Sequence, residues 1–183
     1  MAEEITFEEF TLLLLDALNK CEIDYLVVGG VAAVYYGRPR MTTDCDVILS
    51  LEEEKLKGFV ECMKKHHFEI REYDVIEGFK DKTHFNAYYK STIYRADFSW
   101  RRGTLAEHGF ERARTTEFFG IRIKMEAPED VIIAKLVYGS DQDLDDAKSI
   151  LLTQTRLDKK YLDKRAQEEG VSSKLKTIES NSK

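Results

Sequence analysis

The spacing of apolar and polar positions predicts alternating helices and strands along most of the chain. In residues 6–20 apolar side chains recur at intervals of three and four, which is typical of an amphipathic helix. Thr6 and Glu9 at its start match a capping box. Residues 23–28 form a nearly unbroken apolar run, which indicates a strand covered on both faces. Further helices are predicted at 30–37, 51–67, 128–138 and 140–152, and further strands at 44–49, 68–71, 84–89, 93–100, 116–119 and 121–125.

The end of the chain has a weaker apolar pattern and more charge. Residues 156–183 contain eight Lys or Arg against five Asp or Glu. Leu157, Tyr161 and Leu162 predict one further helix in this region. The Ser- and Lys-rich residues 171–183 are predicted to be frayed or disordered.

These patterns together predict an α+β fold, with a twisted mixed β-sheet, helices packed on it and a helical C-terminal segment. The predicted organisation is a core at residues 1–126, helices packed on the core at 127–165, and a flexible tail at 166–183. The chain of 183 residues is long enough for one domain with a small appendage.

Composition narrows the class of protein. Apolar residues make up 43% of the sequence, and ten Phe and nine Tyr are too many for a disordered chain. A net charge of -6 argues against a broad basic surface for non-specific nucleic-acid binding, although a local basic groove remains open. The N-terminus is acidic, and no apolar run reaches the roughly 18 residues of a membrane span. We therefore predict a cytoplasmic protein with no membrane partner.

The three cysteines are Cys21, Cys45 and Cys62, an odd number without a recognised metal-ligand spacing. They are predicted to be reduced thiols, in keeping with a cytoplasmic location. The pair His66 and His67 resembles a metal site, but it ends a predicted helix, where His commonly caps carbonyl groups. A structural role is therefore favoured for this pair.

Two carboxylates mark the second predicted strand as a candidate site. Asp44 and Asp46 are two residues apart, so they share one face of a strand, whereas Cys45 between them should face the core. Mg²⁺ prefers oxygen ligands and binds proteins through a few carboxylates together with substrate phosphates. Asp97 is the best third carboxylate, because a charge inside a strongly β-forming run is costly unless it is paired or metal-bound.

A glycine pair precedes the predicted short helix. Gly29 and Gly30 would let the backbone approach a phosphate, and the N-terminus of the helix supplies N–H donors and positive potential. A glycine pair alone is weak support for a phosphate site. Its combination with a following Arg, two Thr and an Asp-x-Asp strand is far more specific.

The combined motif is similar to the signature of the nucleotidyltransferase superfamily related to DNA polymerase β, and within it to minimal AbiEii-like enzymes. Lincosamide and aminoglycoside nucleotidyltransferases have a similar run. Residues 127–136 resemble the Pro-Glu-Asp helix of the family, and residues 143–146 its following acidic helix. The motif reads Gly29-Gly30-x-Ala32-x4-Gly37-x2-Arg40-x-Thr42-x-Asp44-x-Asp46.

The resemblance implies a Mg²⁺-dependent transfer of a nucleoside monophosphate from a nucleoside triphosphate (NTP) to an acceptor hydroxyl. Asp44 and Asp46 would bind two Mg²⁺ ions, and Asp97 would complete the site as a metal ligand or as a base. The other implied site residues would contact the triphosphate or the nucleotide: Gly29, Gly30, Arg40, Thr42 and Lys135.

Several alternatives remain open at this stage. Asp97 could form a salt bridge with Arg95 or Arg101, Lys135 could pair with the acidic helix, and Arg40 could lie on the surface. Many relatives have Ser or Thr next to the glycine pair, but this chain has Val31, so phosphate contacts there either come from backbone N–H groups or are missing.

Three classes of function are compatible with the sequence. The acceptor could be a macromolecule, such as tRNA or a partner protein in a toxin–antitoxin pair. It could instead be a small molecule, as in antibiotic-modifying relatives. The chain could also be a non-catalytic module that binds a nucleotide or a partner.

Overall fold

A computed structural model describes residues 5–90 and 92–180. Among these residues one mixed sheet has seven strands in the order β3-β4-β5-β2-β1-β7-β6. The strands are β1 Asp24–Val27, β2 Asp44–Ser50, β3 Phe68–Glu69, β4 Phe85–Tyr89, β5 Arg95–Trp100, β6 Arg114–Phe118 and β7 Ile121–Met125. The helices are α1 Phe7–Lys20, α2 Gly29–Tyr36, α3 Leu56–Lys65, α4 Glu72–Asp81, α5 Gly103–Glu111, α6 Pro128–Tyr138, α7 Asp141–Thr153, α8 Lys159–Glu168 and α9 Ser172–Ser180. The α+β fold class is confirmed.

The order of the strands positions the candidate site near the centre of the sheet. β2 pairs antiparallel with β1 and parallel with β5, so two motif-bearing strands are neighbours. β1 runs directly into α2 through the glycine pair. One hydrophobic core includes side chains from both the sheet and the C-terminal helices. The division at residue 126 remains a prediction.

Local sequence signals explain several boundaries. Thr6 and Glu9 form the predicted capping box of α1, and Ser140 with Asp143 forms one at α7. Pro128 begins α6, where a missing N–H costs nothing, and Gly139 ends it with a φ of 71°. The predicted strands at 84–89 and 93–100 correspond to the antiparallel pair β4 and β5, although Ser91 between them lies outside the described residues.

Three helices were not predicted. In α4 only Val75 and Gly78 are buried, and in α5 only Ala106 and Gly109, so few side chains of either helix mark a buried face. The segment predicted to be frayed instead forms α9, which buries Leu175 and Ile178. Its few apolar residues are sufficient because α7 and α8 pack beside it. Residues 181–183 of the predicted tail lie outside the described residues.

The prediction of three reduced cysteines is wrong for two of them. Cys21 follows α1 and Cys62 lies in α3, and a disulfide joins them with a Cα–Cα distance of 5.9 Å. The two residues are 41 positions apart, so only the packing of α1 beside α3 brings them together. Cys45 is free and fully buried, as the alternation along its strand predicts.

In the part of the chain that the structure describes, every helix is too short or too polar to cross a membrane.

Candidate active site

Three carboxylates lie on one face of two neighbouring strands. Asp44 and Asp46 alternate along β2 with buried Cys45, and Asp46 is aligned with Asp97 on β5 in the parallel register. Like charges that face each other across a sheet destabilise it. The sheet therefore concentrates negative charge at a point where a cation would relieve the repulsion.

Arg95 supplies one positive charge to this group. It is aligned with Asp44 in the register and lies two residues before Asp97 on the same face. Its Nη2 atom donates to Asp97 Oδ2 at 2.8 Å and to Asp44 Oδ2 at 3.4 Å. The salt bridge to Arg95 that the sequence left open for Asp97 is thus present. With this guanidinium in place, the three carboxylates do not bring three oxygens within 4.8 Å of one another.

The glycine pair packs directly against Asp46. Gly29 has a φ of 61°, and a Cβ there would lie only 2.1 Å from Asp46 Oδ2. The N–H of Gly30, in the first turn of α2, donates to the same oxygen at 3.3 Å. Burial raises the pKa of Asp46, and the Gly30 hydrogen bond opposes this shift. Glycine is required at position 29 by both the backbone conformation and the close carboxylate.

Thr42 and Arg40 approach the site from the loop before β2. The Thr42 hydroxyl donates to Asp44 Oδ1 at 2.9 Å and therefore orients that carboxylate. A Cβ at Gly30 would lie 3.0 Å from the same hydroxyl, so the loop closes over the glycine pair. Arg40 points to α7 and its side chain is largely buried, which excludes the surface position that the sequence left open.

Asp146 on α7 holds both predicted cationic site residues. Arg40 Nε and Nη2 donate to its two oxygens at 2.9 Å each, and Lys135 Nζ lies 3.1 Å from Oδ2. Lys135 also donates to Asp143 at 2.8 Å. Burial acts to raise the pKa of Asp146, but hydrogen bonds from Arg40 and Lys135 lower it below its usual value. The cations are thereby positioned beside β2.

Two cavities meet at the carboxylates. One, of about 440 Å³, is lined by Asp46, Asp97 and the apolar side of α6. The other, of about 360 Å³, is lined by Gly30, Arg40, Thr42, Asp44 and Gln142. Asp46 and Lys135 border both cavities. We name the first cavity the α6 cavity and the second the loop cavity. A larger open groove of about 1160 Å³ follows β3, β4 and α4, but none of the three carboxylates lines it.

The sequence predictions missed three polar residues in this region. Asn86 is aligned with Asp97 in β4 and, with its amide oriented to satisfy both groups, donates to Asp97 Oδ1 at 2.9 Å. Gln142 accepts from Arg40 at 2.9 Å in the corresponding orientation. Glu126 is almost fully buried after β7 and lines the α6 cavity. An Asn within an apolar strand was the available signal for Asn86, whereas the other two depend on tertiary packing.

Glu126 is expected to make stability fall as the pH rises. Burial, followed by the negative charge of Asp130, raises its pKa from 4.5 to about 8. The unfolded chain loses this proton near pH 4.5 and the folded chain near 8, so folding retains an extra proton between these values. Glu126→Gln should therefore gain stability relative to wild type by about 1 kcal/mol per pH unit as pH rises from 5 to 8.

Urea unfolding at pH 5, 6.5 and 8 would measure this difference. Glu117→Gln, at an exposed position on β6, is the matched control and should follow the wild type at each pH. If the free energies of unfolding of Glu126→Gln and the wild type differ by the same amount at all three pH values, the expected pH dependence is contradicted.

Comparison with known proteins gives a consistent result. A protein-family model described as "Nucleotidyltransferase of unknown function (DUF6036)" matches residues 5–182. No curated protein matches the chain.

Similar solved structures have the same fold at low sequence identity. An antigenic nucleotidyltransferase-like protein from Paracoccidioides brasiliensis is 16% identical with a TM-score of 0.59, over 93% of this chain and 92% of that one. The antibiotic-resistance factor ANT(2'')-Ia is 13% identical with a TM-score of 0.61, over 95% and 97%. The lincosamide adenylyltransferase LnuA, bound to lincomycin, is 13% identical with a TM-score of 0.57, over 82% and 98%. Since the family model spans nearly the whole chain, the protein belongs to this family of nucleotidyltransferases.

Proposed function

We propose that the chain transfers a nucleoside monophosphate from an NTP to an acceptor hydroxyl and requires Mg²⁺. One observation carries this proposal: Asp44, Asp46 and Asp97 share one face of two paired strands, directly beside the glycine pair that begins α2. This arrangement joins a set of oxygen ligands to a helix N-terminus that favours phosphate.

The chemistry of the three carboxylates fits Mg²⁺. Asp44, Asp46 and Asp97 offer only oxygen ligands, and Arg95 already holds a positive charge between two of them. Bound Mg²⁺ would neutralise the phosphate charge and polarise the phosphorus that is attacked. Arg95 must release Asp44 and Asp97 for these carboxylates to bind a cation, and its guanidinium is then available to a phosphate oxygen.

The loop cavity is the proposed place of the triphosphate. Gly30 and Thr42 line it, and the donors that they now direct to Asp46 and Asp44 become available to phosphate once those carboxylates bind the cation. Arg40 and Lys135 border this cavity while Asp146 fixes their positions, so their charges need little reorganisation when phosphate binds. These backbone and cationic groups replace the hydroxyl that is lost at position 31, where Val31 is buried.

The α6 cavity is the proposed place of the acceptor. Asp97 lines this cavity and can accept the proton of the attacking hydroxyl, and Asn86 orients its carboxylate. The hydroxyl oxygen forms a bond to the α-phosphorus, and pyrophosphate leaves towards the loop cavity. Catalysis then comes mainly from positioning and charge neutralisation.

The size of the α6 cavity favours a small-molecule acceptor. About 440 Å³ matches the lower range of drug-sized sites, and apolar side chains such as Val131 and Ala134 line it together with acidic groups. Among the similar solved structures, LnuA is bound to lincomycin and ANT(2'')-Ia to adenylyl-2''-tobramycin. A tRNA 3′-end or a toxin–antitoxin partner is the second candidate, because a terminal ribose or one side chain could also enter. The AbiEii-like subtype and the cytoplasmic location remain predictions.

Pyrophosphate release from each of the four NTPs in the presence of Mg²⁺ tests the proposal. One series of reactions contains hydroxylated amines and sugars as acceptors, and a second contains tRNA or cell protein. The NTPs carry a label on the α-phosphate. Transfer of this label to a small product supports a small-molecule acceptor, whereas transfer to RNA or protein supports a macromolecular acceptor. Binding of Mg-ATP by calorimetry without transfer to any acceptor would favour a non-catalytic module and contradict the proposal.

A further inference from the structure

A group of side chains of the types that bind metals lies outside the two cavities. Cys21 follows α1, Cys62 lies in α3, and His66 ends α3. Their sulfur and imidazole nitrogen atoms all lie within 4.8 Å of one another, and all three residues are half-buried. Neither the loop cavity nor the α6 cavity includes any of them. Proposed nucleotide transfer therefore leaves this cluster unexplained.

The three residues have the spacing and chemistry of a zinc-class site. Cys62 and His66 are four positions apart, so their side chains lie on one face of the end of the helix, as in helical zinc ligands spaced by three residues. The contact between α1 and α3 adds Cys21 from a distant part of the sequence. Two thiolates and one imidazole suit Zn²⁺ far better than Mg²⁺.

The disulfide between Cys21 and Cys62 prevents metal binding in the oxidised chain. A dithiol reductant can transfer two electrons and two protons, which breaks the S–S bond, forms two thiols and leaves the reductant as a disulfide. A divalent cation that binds next displaces one proton from each thiol and accepts a lone pair from a ring nitrogen of His66. With Zn–S bonds of about 2.3 Å, the two sulfurs, which the disulfide now joins, separate to roughly 3.8 Å when they bind the same cation.

We propose that the reduced chain binds one zinc-class cation through Cys21, Cys62 and His66, with water in the fourth position. The cation replaces the disulfide as the connection between the end of α1 and the end of α3. Both redox states of the chain then retain a cross-link at the same point, covalent in one and metal-mediated in the other.

The test uses the full chain, reduced with a dithiol that is then removed under argon. Co²⁺ is the spectroscopic probe, because only thiolate ligands give its near-ultraviolet charge-transfer band, which the active-site carboxylates cannot produce. We expect the band to saturate at one Co²⁺ per reduced chain and to be lost on addition of one Zn²⁺, and we expect a higher Tm with Zn²⁺. The oxidised chain should give no band.

Adjacent histidines supply the matched variants. His66→Asn should weaken Zn²⁺ binding at least about tenfold, whereas His67→Asn should stay within about twofold. Asn suits position 67 because its φ is 67°. Cys45→Ser should keep the full band, because Cys45 is buried in the core. A reduced chain without the band, or equal affinity of His66→Asn and wild type, would overturn the proposal.

Discussion

Replacing Asp44 and Asp46 together by Asn is expected to lower the rate of nucleotidyl transfer by at least about 10³-fold. Both residues lose the negative charge that would bind the proposed cation, whereas Asn preserves their size and the packing of β2. The fold should survive, because burial of the Asp46 carboxylate is unfavourable and its pKa is raised accordingly. Circular dichroism and thermal unfolding would show a native-like chain.

Asp24→Asn is the control for this experiment. Asp24 begins β1 and pairs with Lys124 at the surface, away from both cavities. Its replacement should leave the rate of transfer within about twofold, as expected for an exposed ion pair. Transfer at the wild-type rate by the double variant would exclude the proposed mechanism, whatever the acceptor.

Strand β2, which carries Asp44 and Asp46, could be predicted from the sequence because the patterns that indicate it are local. Alternation with period two places Asp44 and Asp46 on one face, and the glycine pair marks the entry to α2. Asp97 was also predictable, as a charge within a strongly β-forming run. What the sequence could not provide is the register that aligns Asp46 with Asp97, since that depends on the parallel pairing of β2 with β5.

The features that were missed depend on long-range packing. Asp146 reaches Arg40 only because α7 packs beside the loop before β2, 106 positions earlier in the chain. Likewise, the Cys21–Cys62 bridge requires α1 to pack against α3, and no local pattern encodes that contact. Helices α4 and α5 each bury only two residues, one of them a glycine, so a buried apolar stripe does not identify them.

Asp146→Asn is expected to lower the free energy of unfolding by about 3 kcal/mol. Asp146 is only 3% exposed and accepts hydrogen bonds from Arg40, with Lys135 in the same ion-pair cluster. The variant removes a buried negative charge that compensates the positive charges of Arg40 and Lys135. The Asn amide also presents to these cations either an N–H donor, which they cannot accept from, or a carbonyl oxygen, which is a weaker acceptor than a carboxylate. Urea unfolding at pH 7 would measure the loss.

Asp145→Asn is the matched control, because Asp145 is the preceding residue of α7 and pairs with Arg38 on the surface. Asp145→Asn should lower the free energy of unfolding by less than about 1 kcal/mol. The pKa of Asp146 is lower in the folded chain than in the unfolded chain. Its contribution to the free energy of unfolding is therefore complete above the unfolded-state pKa of about 3.9 and is lost as the pH falls through the folded-state pKa. The difference between Asp146→Asn and wild type should therefore shrink below about pH 4. Equal losses for the two variants at pH 7 would mean that Asp146 does not anchor Arg40 and Lys135.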